Sequence, residues 1–149
     1  GRVAPNPLVG CSIVDSSHRL LAVGYHAQVG QAHAEVDALE KGGGDQAPAL
    51  KGARVYVTLE PCAHEGRTPS CAKRLAKLPI ASVIYAAQDP NPLVAGEGAR
   101  LLREAGIEAK EIKDCVDVAE RDELAEEAEE LAEVFLHVMR FKTPFVSLK

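Results

Sequence analysis

The 149-residue chain has no tryptophan, one methionine, and no more than three phenylalanines and three tyrosines. So few rings leave little on which bases could stack, which argues against a single-stranded nucleic-acid binder. No apolar run approaches the roughly 20 residues that cross a bilayer, and no basic-then-apolar leader opens the sequence. A globular domain in the cytoplasm, away from any membrane, is the expectation. The four cysteines could form two disulfides, but without a leader peptide metal binding or catalysis is the better reading. A domain of this length buries roughly 68–70% of its unfolded surface, so it needs neither disulfide nor metal merely to fold. The one methionine is Met139. The chain therefore does not open on an initiator and is expected to be a piece of a longer protein.

Charge of one sign is scarce except in one place. The formal net charge is −5, yet residues 114–133 hold ten acids and a single base, Arg121. That segment carries −9, so the remaining 129 residues carry +4, and residues 1–113 alone carry +1. The chain lacks the basic footprint of a nucleic-acid binder. The part outside the acidic segment is compatible with a phosphorylated small molecule.

Residues 8–14 (LVGCSIV) and 20–25 (LLAVGY) predict a β-hairpin. His33 to Lys41 predicts a short helix stopped by Gly42, Gly43 and Gly44, followed by a flexible loop to Gly52. Strands are expected over 53–59, 82–87 and 107–112. A second helix is expected to start with Thr68 as N-cap and Pro69 at its first position. A third should run from about Val94 to Ala105 and end at Gly106. From about Val116 to Met139 the apolar stripe of Leu124, Ala128, Leu131 and Phe135 predicts a long acidic helix. Strands alternating with helices of about ten residues imply an α/β fold with a largely parallel sheet, made mixed by the hairpin.

The chemistry concentrates in His33-Ala34-Glu35, Pro61-Cys62 and Cys71. Zinc favours nitrogen and sulfur ligands, and a catalytic site uses three protein ligands with a water in the fourth position. One imidazole and two thiolates would leave a bound water with a pKa near 7, so a hydroxide nucleophile is available close to neutral pH. Residues two apart on a helix point about 200° apart, so His33 and Glu35 cannot be side-by-side ligands. His33 would reach the metal from the helix tip. Glu35 would extend towards its water as a proton shuttle, a role worth about 10²–10⁴-fold in rate. Cys71, in the first turn of the second helix, would have its thiolate favoured by the helix dipole. This H-x-E and P-C arrangement is the signature of zinc-dependent nucleobase deaminases. In the short form of that signature two residues separate the cysteines; here there are eight, AHEGRTPS.

HAEVDAL, TLEPCAHEGRTPSC and QDPNPLVAGEG, with PNPLVG near the start, occur in an order that resembles one family. It is the pyrimidine deaminase half of the bifunctional bacterial riboflavin-biosynthesis deaminase/reductase, the RibD type. The resemblance implies a three-layer α/β/α sandwich around a five-stranded mixed sheet, as in cytidine deaminases. It implies hydrolytic removal of the 2-amino group of 2,5-diamino-6-ribosylamino-4(3H)-pyrimidinone 5′-phosphate, with release of ammonia. On that mapping His33, Cys62 and Cys71 bind one zinc and Glu35 moves protons. Asn6, His26, His64, Arg67, Asp89 and Asn91 face the substrate. Residues 1–138 would form the deaminase domain, including the acidic helix from about 114 to 138. The tail 139–149, MRFKTPFVSLK, resembles the entry into an NADPH-dependent reductase domain. A homo-oligomer is expected, without nucleic-acid or membrane partners. Two departures stand out: Ser70 replaces a second proline, and residues 1–4 lead into PNP without the family's N-terminal helix.

Plainer readings exist for several of these residues. Cys62 and Cys71 could be buried thiols or a redox pair, though that leaves His33 and Glu35 unexplained. Asn6 and Asn91 could serve turn chemistry beside proline. His26 and His64 could be polar residues at a pocket rim, and Arg67 a solvated loop cation. Cys11 reads as a small core residue and Cys115 as structural. Lys73, Arg74 and Lys77 read as surface decoration of the second helix. Two functional alternatives follow: a deaminase of cytosine, a cytidine nucleotide or tRNA adenosine, or a binding module built on structural zinc. The latter needs a fourth protein ligand, which His64 or His26 would have to supply.

Overall fold

A computed structural model describes residues 9–26, 32–66, 69–89, 91–111 and 114. The expected hairpin forms from β1 (Val9–Val14) and β2 (Leu20–His26), paired antiparallel with Cys11 opposite Gly24. Its turn is closed by Asp15, whose carboxylate accepts the backbone N–H groups of Ser17 and Arg19 at 2.8 and 2.9 Å. Then follow α1 (Ala34–Lys41), β3 (Arg54–Leu59), α2 (Cys71–Ala76), β4 (Ser82–Ala87), α3 (Glu97–Glu104) and β5 (Glu108–Glu111). The sheet order is β2-β1-β3-β4-β5, with β3, β4 and β5 parallel and β1 antiparallel to both of its neighbours. This is the five-stranded mixed sheet of the expected α/β class.

Topology fixes where the helices lie. β2 runs parallel to β3, so the chain makes three parallel crossovers, β2-α1-β3, β3-α2-β4 and β4-α3-β5, all moving the same way across the sheet. Right-handed crossovers in one direction put all three helices on one face. Side-chain alternation agrees. Cys11, Ile13, Val55, Val57, Val83, Tyr85 and Ala109 point to that face. They share one core with Ala34, Ala38 and Leu39 of α1, Leu75 of α2, and Ala99 and Leu102 of α3. On the other face Ser12, Val14, Tyr56 and Ile84 are also buried. The acidic helix, Cys115 and the tail lie outside the described residues. Among the described residues no helix is long and apolar enough to cross a membrane.

Three local expectations need correction. The loop before Gly52 is not uniformly flexible: Pro48–Leu50 makes a 3-10 turn that buries Leu50. α2 starts later than expected, at Cys71 with Ser70 as its N-cap. The Ser70 hydroxyl accepts the Lys73 N–H at 3.1 Å while donating to the Cys62 carbonyl at 2.8 Å. Of these two bonds the second is long-range and invisible to local preference. α3 begins at Glu97 rather than near Val94. The Asn91 carbonyl draws the Val94 and Ala95 N–H groups into turns, and Gly96 has a left-handed φ of 90° that a helix cannot run through. Arg74 is tied rather than merely decorative, since it grips Asp45 in the preceding loop through Nε at 3.0 Å and Nη2 at 2.7 Å.

Candidate metal centre

The ends of the parallel strands on the helix-bearing face are where an α/β sheet places its ligands. Here two helix starts converge. His33 is the N-cap of α1, with extended backbone at φ −66° and ψ 161°, so its ring stands ahead of the helix as the spacing predicts. Cys71 opens α2, and Cys62 sits just beyond β3. The His33 Nδ1 lies 3.2 Å from the Cys71 sulfur and 3.8 Å from the Cys62 sulfur. All three donor atoms fall within 4.8 Å of one another.

The donor set and its spacing fit zinc. Nitrogen and sulfur ligands at about 2.1 and 2.3 Å in a tetrahedron stand about 3.6 Å apart, and the two observed nitrogen–sulfur separations bracket that value. Among the described residues no fourth donor joins the group, and neither His26 nor His64 belongs to it. Three ligands leave one position open, the pattern of a catalytic rather than a structural zinc site. The described cysteines Cys11, Cys62 and Cys71 are all free. Cys11 is a buried core residue, and burial pushes its thiol well above the ordinary range.

Protonation follows from the crowding. The Cys62 sulfur accepts the thiol proton of Cys71 and, at 3.4 Å, the Cys71 N–H, which holds Cys62 far below an ordinary thiol. Cys71 is correspondingly raised, because Cys62 and burial keep its proton in place. His33 is raised chiefly by its hydrogen bond to Cys62. A cation displaces such shared protons and takes both sulfurs as thiolates. Glu35, in the first turn of α1, is 5% exposed. Burial raises its pKa, and its carboxylate takes a hydrogen bond from the Cys71 thiol. A carboxyl group raised towards neutrality beside an open metal position is suited to hold and release a proton.

These groups line a cleft of about 190 Å³. That volume lies below the roughly 300–1,000 Å³ of drug-sized sites and suits a single ring. Val9 and Leu59 supply its apolar wall; His26, Glu35 and Asp89 supply polar groups. His26 meets His33 edge-on with ring centres 5.3 Å apart, and its Nδ1 lies 3.1 Å from the Ala32 carbonyl. The other substrate candidates are less gathered. His64 is exposed and does not line the cleft. Asp89 and the exposed Asn91 also do turn chemistry, accepting the Asn91 and Leu93 N–H groups at 2.9 and 3.0 Å. Asn6 and Arg67 lie outside the described residues.

Two polar residues at the site carry roles that pattern reading missed. Ser70 links the cysteines, as described; the N-cap preference for serine was the available signal. Glu60 is 4% exposed at the end of β3. A carboxylate between a fully buried strand and Pro61 must find partners, which is the sign that it is structurally employed.

Residues 2–87 match the family described as the cytidine and deoxycytidylate deaminase zinc-binding region. Over all 149 residues the chain is 46% identical to the riboflavin biosynthesis protein RibD of Bacillus amyloliquefaciens, spanning 36% of that protein. Among solved structures it is similar to RibD from Acinetobacter baumannii. There the identity is 45% and the TM-score 0.67, covering 93% of this chain and 35% of that one. It is also similar to a diaminohydroxyphosphoribosylaminopyrimidine deaminase/5-amino-6-(5-phosphoribosylamino)uracil reductase from Thermotoga maritima. That likeness has 37% identity and a TM-score of 0.66, over 97% of this chain and 38% of that one. The chain spans about a third of the length of the curated relatives it matches.

Proposed function

The chain belongs to the cytidine and deoxycytidylate deaminase family, and from that premise we propose that it is a zinc-dependent hydrolase of the riboflavin pathway. Its substrate is 2,5-diamino-6-ribosylamino-4(3H)-pyrimidinone 5′-phosphate, from which it removes the 2-amino group as ammonia. The observation that carries this reading is the convergence of His33, Cys62 and Cys71 beside buried Glu35, across the eight-residue gap between the cysteines. Support for the substrate comes from the RibD relatives, which share this segment over its whole length.

His33, Cys62 and Cys71 would hold zinc, which when bound supplies the Lewis acidity that makes water a nucleophile near pH 7. Glu35 takes a proton from the attacking water through its carboxylate. It then returns the proton to the departing amino nitrogen, so that ammonia rather than amide leaves. Val9 and Leu59 pack the ring and exclude bulk water from that transfer. Asp89, Asn91, His26, His64, Asn6 and Arg67 are the proposed substrate contacts, with Arg67 available to the ring or the phosphate. The whole protein is proposed to act as a homo-oligomer, with residues 139–149 opening an NADPH-dependent reductase domain.

An ammonia-release assay on a substrate panel tests the reading. The phosphorylated diaminopyrimidine should turn over best, with activity abolished by a zinc chelator and restored by added zinc. A clear preference for a cytidine nucleotide would reassign the substrate. Zinc bound with no deamination of any base would favour a binding module.

A further inference from the structure

Between β4 and α3 the chain runs through Asp89, Asn91 and Gly96 along the rim of the cleft. Gly96, the N-cap of α3, has no side chain with which to cap the helix. Glu60 supplies the cap from a different element. Its Oε1 accepts the Asp89 N–H at 3.1 Å and the Gly96 N–H at 3.0 Å, and its Oε2 accepts the Ala99 N–H at 3.2 Å. One buried carboxylate thus satisfies three backbone donors, one at the start of the rim loop and two at its end. The positive end of the α3 dipole favours the charge. The loop's own turns, through the side chains of Asp89 and Asn91, hang between those fixed points.

The same residue is tied to the metal side. Glu60 precedes Pro61 and Cys62, and its own N–H donates to the Ala87 carbonyl at the end of β4 at 2.8 Å. Next to it, α3 lies so close that a Cβ on Gly98 would stand 1.9 Å from the Pro61 carbonyl oxygen. The rim loop and the cysteine loop are therefore held in register by a backbone contact and a three-point carboxylate clamp.

We propose that Glu60 is a positioning residue that sets the substrate-facing loop 88–96 relative to the metal ligand Cys62. It acts through the backbone of Asp89 and Gly96 and touches neither metal nor substrate. The proposal rests on the deaminase reading for its kinetic consequence but not for its structural one.

The test uses the zinc-loaded full chain with Glu60→Gln and Glu60→Ala, read by amide hydrogen exchange, zinc content and steady-state ammonia release. Gln keeps an oxygen for Asp89 and Gly96 but turns an NH₂ group towards Ala99; Ala removes every acceptor. Exchange should therefore accelerate at Ala99 in Glu60→Gln and at all three amides in Glu60→Ala, with zinc retained in both. KM for the diaminopyrimidine should rise about tenfold in Glu60→Ala, the loss of one charge-assisted hydrogen bond, and less in Glu60→Gln, with kcat changed far less. If Glu60→Ala does not fold, Glu60→Gln alone decides through Ala99 exchange and KM. Unchanged exchange overturns the proposal, and so does zinc lost in step with kcat at constant KM. Wild-type chain that releases no ammonia would instead overturn the deaminase reading, and amide exchange would then judge the clamp by itself.

Discussion

Gly24 is where α1 meets the sheet, and replacing it with alanine should disturb a site to which it contributes no atom. A Cβ at this position would lie 2.3 Å from the Ala38 nitrogen, 2.4 Å from the Ala34 carbonyl oxygen and 2.9 Å from the Ala38 Cα. All three are backbone atoms, so no side chain can swing aside. Restoring contacts of about 3.5 Å requires α1 to withdraw by about 1 Å. Overpacking of this kind costs about 1–3 kcal/mol, against about 0.5–1 kcal/mol recovered because alanine suits a strand better than glycine. A net loss of about 2 kcal/mol would lower Tm by about 4–8 °C in a chain of this size. The larger effect should be on turnover, because α1 carries Glu35 and His33 stands at its tip. A displacement of about 1 Å at reacting groups costs on the order of 10²-fold. Differential scanning calorimetry and ammonia release, both on zinc-loaded protein, measure the two effects. A Gly24→Ala protein with unchanged Tm and unchanged kcat would refute the argument that this close approach seats the catalytic helix.

Three further outcomes follow from the same geometry. Glu35→Gln, nearly isosteric, should keep about one zinc per chain yet lose about 10²–10⁴-fold in kcat, as metal analysis and ammonia release will report. Cys71→Ser removes one of three ligands and should lower zinc occupancy sharply after dialysis against a weak chelator, whereas Cys11→Ser should not. Asp37 accepts the Tyr25 N–H at 3.0 Å and pairs with Lys41 at 3.0 Å, which lowers its pKa. A lowered carboxylate stabilises the fold above its unfolded pKa of about 3.9, and that contribution disappears as pH falls through the folded value. The Tm gap between wild type and Asp37→Asn should therefore be open at pH 7 and closed near pH 2.

Much of the site was legible because its signals are local. His33, Cys62 and Cys71 are named by residue type and spacing, and the α1 start places His33 at the tip, as helical geometry requires. The hairpin and the strand at 82–87 were equally plain from alternation and bounding turns. What could not be read were the partners that a residue finds far along the chain. Glu60 bonds backbone 29, 36 and 39 residues away, and no window of sequence contains both ends. The same holds for Ser70, where Thr68 with Pro69 looked like the better helix start until the Cys62 carbonyl entered as a partner. For α3 the error was one of competition. The Asn91 turns and the left-handed Gly96 prevail over helix formers that by themselves would begin near Val94.

The Cys62 carbonyl receives both the Ser70 hydroxyl and, at 2.9 Å, the Ala72 N–H. These bonds pinch the two ends of the 63–70 segment together at its base, much as a staple closes a bight of rope. Whatever lies beyond the pinch is decoupled from the sulfur positions. Extending a cysteine gap from two residues to eight costs about 1 kcal/mol in chain closure, an amount those two bonds can offset. The metal geometry can thus stay fixed while this segment changes length and composition. It is a place where selection, or an engineer, can rewrite which substrates are admitted without rebuilding the centre that acts on them.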